Sequence, residues 1–182
     1  MEKDGREIKL EKFFTDQLSL WPMVSRNFRA LKKAPVKTIT CGGLPIRVQL
    51  NPARKISTTA AMDEKSIAAR PCFLCPRGRF PEQTAIDFEG RKGKKYDIVL
   101  NPYPILPGHL VVPLKEHLPQ SIGHRFVDIL DLGEKFSGHT FMYNGPHSGA
   151  SAPDHHHFQA VPKGYFPLEN DVRSCLDAPE SG

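Results

Sequence analysis

The sequence has few of the features that mark secreted, membrane-spanning or nucleic-acid-binding proteins. Only 4 of its 182 residues are cysteine, too few for a disulfide framework in a chain of this size. No apolar run approaches the roughly 18 residues of a membrane helix. The first residues contain no basic segment followed by an apolar one, so we expect no secretory signal. These absences favour a reducing, cytoplasmic compartment and predict no membrane partner.

The chain also lacks a concentrated charge of one sign. Its net charge of +5 comes from basic residues scattered among acidic ones. The one basic run, RKGKK at residues 91–95, indicates a solvated hairpin or loop tip. Because no recognition module or aromatic and basic platform accompanies it, we expect no specific nucleic-acid partner.

Helical periodicity is confined at first to the N-terminal part of the chain. Apolar residues recur at helical spacing between residues 8 and 33, on both sides of Pro22. Because proline interrupts or kinks a helix, this pattern predicts either two helices or one helix kinked at Pro22, which form an N-terminal helical arm over residues 1–34. VKTIT and LPIRVQL then flank CGG, which predicts a β-hairpin with a glycine turn.

Strand-like runs dominate the middle of the chain, namely YDIVLN, HLVVPL, HTFMYNG and HHHFQAV. Residues 119–135 predict a helix, because their apolar side chains form a stripe. Several strands with one helix laid across them are typical of an α+β fold built on an antiparallel sheet. We therefore predict a domain over residues 35–165 and, where periodicity fades, an irregular tail over residues 166–182.

The histidine run of the last predicted strand is the first candidate site. Side chains alternate in a strand, so His155, His157 and Gln159 share one face, while His156 and Phe158 point to the other. A neutral imidazole is a good nucleophile near neutral pH, and a glutamine amide donates to a phosphoryl oxygen without adding charge. Against this stands a simpler interpretation, in which consecutive histidines are a chance cluster or a weak metal site.

The segment just before this strand strengthens the first interpretation. NGPHSGAS, residues 144–151, is a turn rich in glycine and serine. Backbone N–H groups in such a turn can bind an anion, and the Ser151 hydroxyl adds a donor. An anion-binding turn that leads into a histidine strand suits the transfer of a phosphorus-centred group through a covalent histidine intermediate.

A second candidate site is the pair of cysteines in PCFLCP. Its C-x-x-C spacing allows two thiolates to hold one zinc ion from a tight turn. Two more ligands are then needed, and the candidates are His117 and His155. A redox role is less favoured, because no βαβ pattern surrounds the pair.

Together these motifs resemble the histidine-triad (HIT) superfamily, in the branch of the galactose-1-phosphate uridylyltransferases, the dinucleoside polyphosphate (Ap4A) phosphorylases and the GDP-galactose phosphorylases. PGHLVVPLKEH, residues 107–117, resembles the superfamily's PGH, strand and P-x-x-H segment. HHHFQ resembles the H-x-H-x-Q motif of this branch. CFLC followed by VLNPYPIL resembles the segment that binds zinc and then encloses the nucleoside. The match runs from residue 51 to residue 162.

The resemblance implies an α+β, HIT-like antiparallel sheet with a packed helix, and it implies roles for particular residues. His157 would be the nucleophile and Gln159 would bind the phosphoryl oxygens of the transferred group. The other nucleotide and phosphate ligands would be Asn101 and Tyr103 at the ribose and base, and Asn144, Gly149 and Ser151 in the phosphate loop. A structural zinc ion would be held by Cys72, Cys75, His117 and His155.

The implied function is that of a nucleotidyltransferase or phosphorylase that acts on a nucleoside diphosphate sugar or a dinucleoside polyphosphate. Inorganic phosphate or a sugar phosphate would be the acceptor. Two alternatives remain, a HIT-type nucleotide hydrolase and a non-catalytic, zinc-stabilised nucleotide-binding half-module. The second arises because members of this branch usually contain two related halves. Superfamily members often dimerise, so the resemblance also implies a homodimer.

Overall fold

A computed structural model of the protein describes residues 5–55, 63–146, 148 and 151–177. The chain begins with α1 (Gly5–Leu20), α2 (Pro22–Lys32) and a hairpin of β1 (Val36–Cys41) and β2 (Leu44–Gln49). The elements that follow are α3 (Glu64–Ala69), β3 (Ile86–Glu89), β4 (Lys95–Leu100), β5 (Leu110–Pro113), α4 (Phe126–Lys135), β6 (His139–Met142), β7 (His157–Pro162) and α5 (Pro167–Asp177).

Five of the strands form an antiparallel sheet in the order β3-β4-β5-β7-β6. Strand β7 pairs with the central strand β5, where Val111 lies opposite Gln159. On its other side β7 pairs with β6, where Met142 lies opposite Gln159. This sheet, with α4 packed on it and helices at the N-terminal end, confirms the predicted α+β fold. The hairpin of β1 and β2 is a separate two-stranded sheet.

The main core lies on one face of this sheet. Because side chains alternate between the two faces along a strand, Ile98, Val112 and Phe158 lie on that face, where each is at most 1% exposed. The arm covers them with residues spaced for one helical face of α2, and α4 contributes Leu132. The arm residues in this core include Trp21, Val24, Phe28 and Leu31. The arm thereby leaves the opposite sheet face open for other residues.

The opposite face of the sheet carries a smaller apolar cluster. Val99 and Val111 pack there with Leu74 and Ala152, next to the half-buried Cys72. His157 and Gln159 belong to the same face because they alternate with Phe158. This cluster is the floor on which the candidate site is built.

Three local predictions differ from the structure. The short strand β3 was not predicted, because its four residues give too little alternation to be recognised. Helix α4 begins at Phe126 after a 3-10 turn, so the predicted helix over residues 119–135 starts too early. The irregular tail is wrong over residues 167–177, where α5 forms.

Helix α5 has a start signal that the sequence analysis did not weigh. Pro167 occupies its first position, where a missing N–H costs nothing. Leu168, Val172 and Leu176 recur at every fourth residue, and all three are at least 50% exposed. These residues form a narrow apolar stripe, which is a weaker helix signal than the wide stripe of a helix that faces the core. None of the helices in the described part of the chain has the length and apolar character to cross a membrane.

Candidate functional site

The four predicted zinc ligands come together in the structure. The ligand atoms of Cys72, Cys75, His117 and His155 all lie within 4.8 Å of one another. Cys72 Sγ is 3.2 Å from His155 Nδ1, and Cys75 Sγ is 3.3 Å from His117 Nδ1. Tetrahedral zinc bonds of 2.0–2.3 Å place neighbouring ligand atoms roughly 3.3–3.8 Å apart. The cluster therefore fits a Cys₂His₂ zinc ion.

Local structure prepares these side chains for a metal. The cysteines lie in a tight turn, in which Cys75 N–H donates to the Cys72 carbonyl at 3.2 Å. His155 Nε2–H donates to the Leu114 carbonyl at 2.7 Å, which leaves the Nδ1 lone pair facing the cysteines. Burial and then the neighbouring Cys72 thiol raise the pKa of Cys75 to about 11. A zinc ion would displace that proton on binding.

His157 begins strand β7 next to this cluster and is only 6% exposed. Its Nδ1 lies 2.8 Å from the His155 carbonyl oxygen, to which Nδ1–H can donate. This bond selects the tautomer with the lone pair on Nε2. Burial lowers the pKa of His157, so the ring is neutral at neutral pH. These are the two conditions that an imidazole nucleophile requires.

Gln159 is oriented by a buried histidine to which the sequence analysis gave no role. His109 Nδ1 accepts from Ile105 N–H at 3.2 Å, so Nε2 carries the proton and donates to Gln159 Oε1 at 2.8 Å. The Gln159 amide nitrogen then donates to Asn144 Oδ1 at 3.1 Å. Burial lowers the pKa of His109 to about 4, which keeps this donor neutral. The sequence signal for this residue is the PGH motif at residues 107–109.

Asn101 and Tyr103 lie in the turn between β4 and β5, beside His109. Asn101 Oδ1 accepts from Tyr103 N–H at 2.9 Å, and Asn101 N–H donates to the His109 carbonyl at 3.1 Å. The Asn101 side chain therefore shapes this turn. Asn51 holds the loop from outside, because its Nδ2 donates to the Pro104 carbonyl at 3.0 Å. Contact of Asn101 and Tyr103 with a ribose and a base stays a prediction.

The predicted phosphate loop is described in part. Asn144 lies next to Gln159, and Ser148 N–H donates to the Gly145 carbonyl at 3.0 Å. The Ser151 carbonyl lies 3.5 Å from Arg70, whose guanidinium forms a 3.0 Å ion pair with Asp154. Gly149 lies outside the described residues. Anion binding by Ser151 and Gly149 stays a prediction.

Known proteins share parts of this architecture. Protein APA1 of Saccharomyces cerevisiae is 30% identical over 98 residues, which cover 47% of this chain and 30% of that protein. The crystal structure of yeast Ap4A phosphorylase Apa2 is 19% identical, with a TM-score of 0.52 over 88% of this chain and 55% of that chain. Its complex with Ap4A is 20% identical, with a TM-score of 0.50 over 88% and 57%. The chain thus spans about half the length of these solved relatives.

A family model gives the widest sequence match. It is described as "Domain of unknown function (DUF4922)" and covers residues 13–162, which include the second half of α1 and every predicted site residue. The structural likeness shows a shared fold, and the sequence match to APA1 adds to it. These similarities confirm the resemblance to the Ap4A phosphorylase branch of the histidine-triad superfamily, and by the extent of the family match the chain belongs to the DUF4922 family.

Proposed function

We propose that this protein is a nucleotidyltransferase of the phosphorylase type, with a dinucleoside polyphosphate or a nucleoside diphosphate sugar as donor. The observation that carries the proposal is the tautomer of His157. Its Nδ1 lies 2.8 Å from the His155 carbonyl oxygen, so the lone pair is on Nε2. Gln159 lies two residues further along the same face, with its amide nitrogen presented by His109. The similarity to yeast Ap4A phosphorylase adds support for a nucleotide donor.

The first step forms a covalent intermediate. His157 Nε2 attacks the α-phosphorus of the donor, so a P–N bond forms while the P–O bond to the leaving phosphoryl group breaks. The leaving group takes the bonding electron pair, and the proton stays on His157 Nδ1, which donates it in a hydrogen bond to the His155 carbonyl. Gln159 donates to a phosphoryl oxygen as charge develops there, which is where a preorganised neutral donor contributes most.

The second step returns the histidine to its starting state. An oxygen of inorganic phosphate or of a sugar phosphate attacks the same phosphorus, and the P–N electron pair returns to Nε2. With inorganic phosphate the product is a nucleoside diphosphate. Because the Gln159 amide cannot act as a general base that takes a proton from water, an acceptor that is already an anion suits this site better than water does.

The zinc ion belongs to the framework of the proposed site. Cys72, Cys75, His117 and His155 would hold it, and its chemistry there would be to cross-link the cysteine turn to the start of β7. His155 is followed two residues later by His157, so the cross-link fixes the backbone that presents the nucleophile. Such fixing matters because small errors in the position of a reacting group are costly.

Acceptor dependence tests the proposal and separates it from its alternatives. The zinc-loaded protein would be given Ap4A with and without inorganic phosphate, and the products would be separated by chromatography. We expect release of a nucleoside diphosphate that requires phosphate and is lost in His157→Ala. Equal turnover without phosphate, yielding a nucleoside monophosphate, would instead identify a hydrolase. Binding of Ap4A without turnover, in the presence of either phosphate or a sugar phosphate, would identify a binding module.

A further inference from the structure

The pairing of β6 with β7 stops abruptly at the candidate site. The two strands are in register from His139 opposite Pro162 to Met142 opposite Gln159. If the register continued, the next pair on the same face of the sheet would be Asn144 opposite His157. Those residues do not pair, because β6 ends at Met142. The strands therefore separate at the residue that carries the proposed nucleophile.

The side chain of Gln120 fills the gap between the separated strands. Gln120 Oε1 accepts from His157 N–H at 2.9 Å, and Gln120 Nε2 donates to the His157 carbonyl at 3.0 Å. The same Nε2 donates to the Asn144 carbonyl at 2.8 Å. The Gln120 backbone N–H is itself held by the Pro153 carbonyl at 3.0 Å. The Gln120 amide thus takes the place of the backbone hydrogen bonds between Asn144, which follows β6, and His157, which begins β7.

This arrangement links the backbone of the nucleophile to the orientation of Gln159. Gln120 fixes His157 at its N–H and its carbonyl, and it fixes Asn144 at its carbonyl. The side chain of Asn144 in turn accepts from Gln159 Nε2 at 3.1 Å. Gln120 is 3% exposed, so water has little access to replace these bonds.

We propose that Gln120 is a positioning residue that holds β6 and β7 apart and sets the distance between His157 and the Asn144–Gln159 pair. The inference rests on the proposed function, because it assigns Gln120 to the step in which His157 attacks phosphorus. It predicts that loss of the amide slows formation of the covalent intermediate more than it weakens nucleotide binding. The His157 imidazole and the Gln159 amide would both be present but misplaced.

The amide group is required because the gap presents one N–H donor and two carbonyl acceptors. Glutamine alone among neutral side chains of this length both donates and accepts. Gln120→Met keeps the length and removes every hydrogen bond. Gln120→Glu keeps the shape and the acceptor for His157 N–H, but it places a carboxylate against two carbonyl oxygens.

The chain contains a matched control for the structural part of this effect. Gln17 in α1 is 1% exposed, its Nε2 donates to the Glu82 carbonyl at 3.0 Å, and its Oε1 accepts from Thr84 N–H at 3.1 Å. It therefore makes the same kind of buried bonds as Gln120, but in the arm. Gln17→Met measures what the loss of such an amide does to the fold alone.

The test compares both methionine variants as zinc-loaded, full-length protein. The rate of covalent intermediate formation at saturating Ap4A would be measured by rapid-quench mass spectrometry at neutral pH, and the dissociation constant by calorimetry on a His157→Ala background. We expect Gln120→Met to lower the rate about 100-fold, the scale of a misplacement near 1 Å, with a change of less than about threefold in the dissociation constant. Gln17→Met should leave both values near those of the wild type.

The possible outcomes distinguish a positioning role of Gln120 from a purely structural one. If both methionine variants slow the reaction equally, or if Gln120→Met weakens binding as much as it slows the reaction, Gln120 has only a structural role. If Gln120→Met does not retain zinc, Gln120→Glu replaces it, and a wild-type rate for that variant would overturn the proposal. If the wild type forms no intermediate while it binds Ap4A, the proposed function itself fails.

Discussion

The buried His109 predicts a specific dependence of stability on pH. Its pKa is lowered from 6.5 to about 4, chiefly because burial disfavours the charged ring. The unfolded chain has no such burial, so between these two pKa values the unfolded state binds a proton that the folded state does not. The stability contribution is therefore complete above pH 6.5 and is lost as the pH falls towards 4.

The size of the effect follows from the same shift. One pKa unit corresponds to about 1.4 kcal/mol, so protonation of the unfolded state lowers the free energy of unfolding by about 3 kcal/mol on reaching pH 4. His109→Gln retains an amide donor near Gln159 but cannot titrate. Its stability should fall less steeply with acid than that of the wild type.

The assay is urea unfolding of both proteins at intervals between about pH 8 and about pH 4. Acid also protonates the zinc ligands and other buried histidines, but it does so in both proteins, and the difference between them isolates His109. We expect that difference to change by about 3 kcal/mol across the range and to be flat above about pH 7. Parallel curves for the two proteins would refute the argument that His109 is held neutral by burial.

Three further predictions concern the metal, the backbone and the charge of the site. Metal analysis should find about one zinc per chain, and Cys75→Ser should lower both zinc content and melting temperature; wild-type protein that folds without zinc would contradict this. Gly108→Ala should cost about 2–4 kcal/mol in urea unfolding, because Gly108 has φ +69° and its Cβ would lie 2.6 Å from the Pro162 ring. Gly43→Ala, at φ +81° in open space, should cost less, and equal losses would exclude the clash. Gln159→Glu should lower turnover about 100-fold or more, since a carboxylate repels the phosphoryl group; unchanged turnover would remove Gln159 from the mechanism.

Much of the fold was predictable because its periodicities are local. Pro22 divides the arm into two helices, and the four strand-like runs became β4, β5, β6 and β7. Two elements were not predicted. Strand β3 has only four residues, too few for its alternation to be recognised, and the apolar residues of α5 form only a narrow stripe. Such elements depend on tertiary contacts, as when Glu169 of α5 accepts from Thr140 Oγ1 at 2.7 Å.

The candidate site was predictable only where a motif carried its residues. The metal cluster was found because C-x-x-C spacing is visible along the chain, and its four ligands do converge. Gln120 was missed because its partners, Asn144 and His157, are 24 and 37 residues away in sequence. No local sequence pattern indicates that a side-chain amide will replace the backbone hydrogen bonds between two strands. His109 was seen as part of a motif, but its hydrogen bond to Gln159 spans 50 residues.

The central claim is that His157 forms a covalent bond to a nucleotide. The most direct measurement is intact mass spectrometry at neutral pH, after zinc-loaded protein has been mixed with Ap4A or nucleotide sugars in the absence of phosphate. Acid is avoided because a phosphoramidate is labile. The account predicts a mass gain of one nucleoside monophosphate, located on His157 by peptide mapping and removed by added phosphate. Protein that binds the nucleotide and leaves it unconsumed, with no mass gain, would contradict the account.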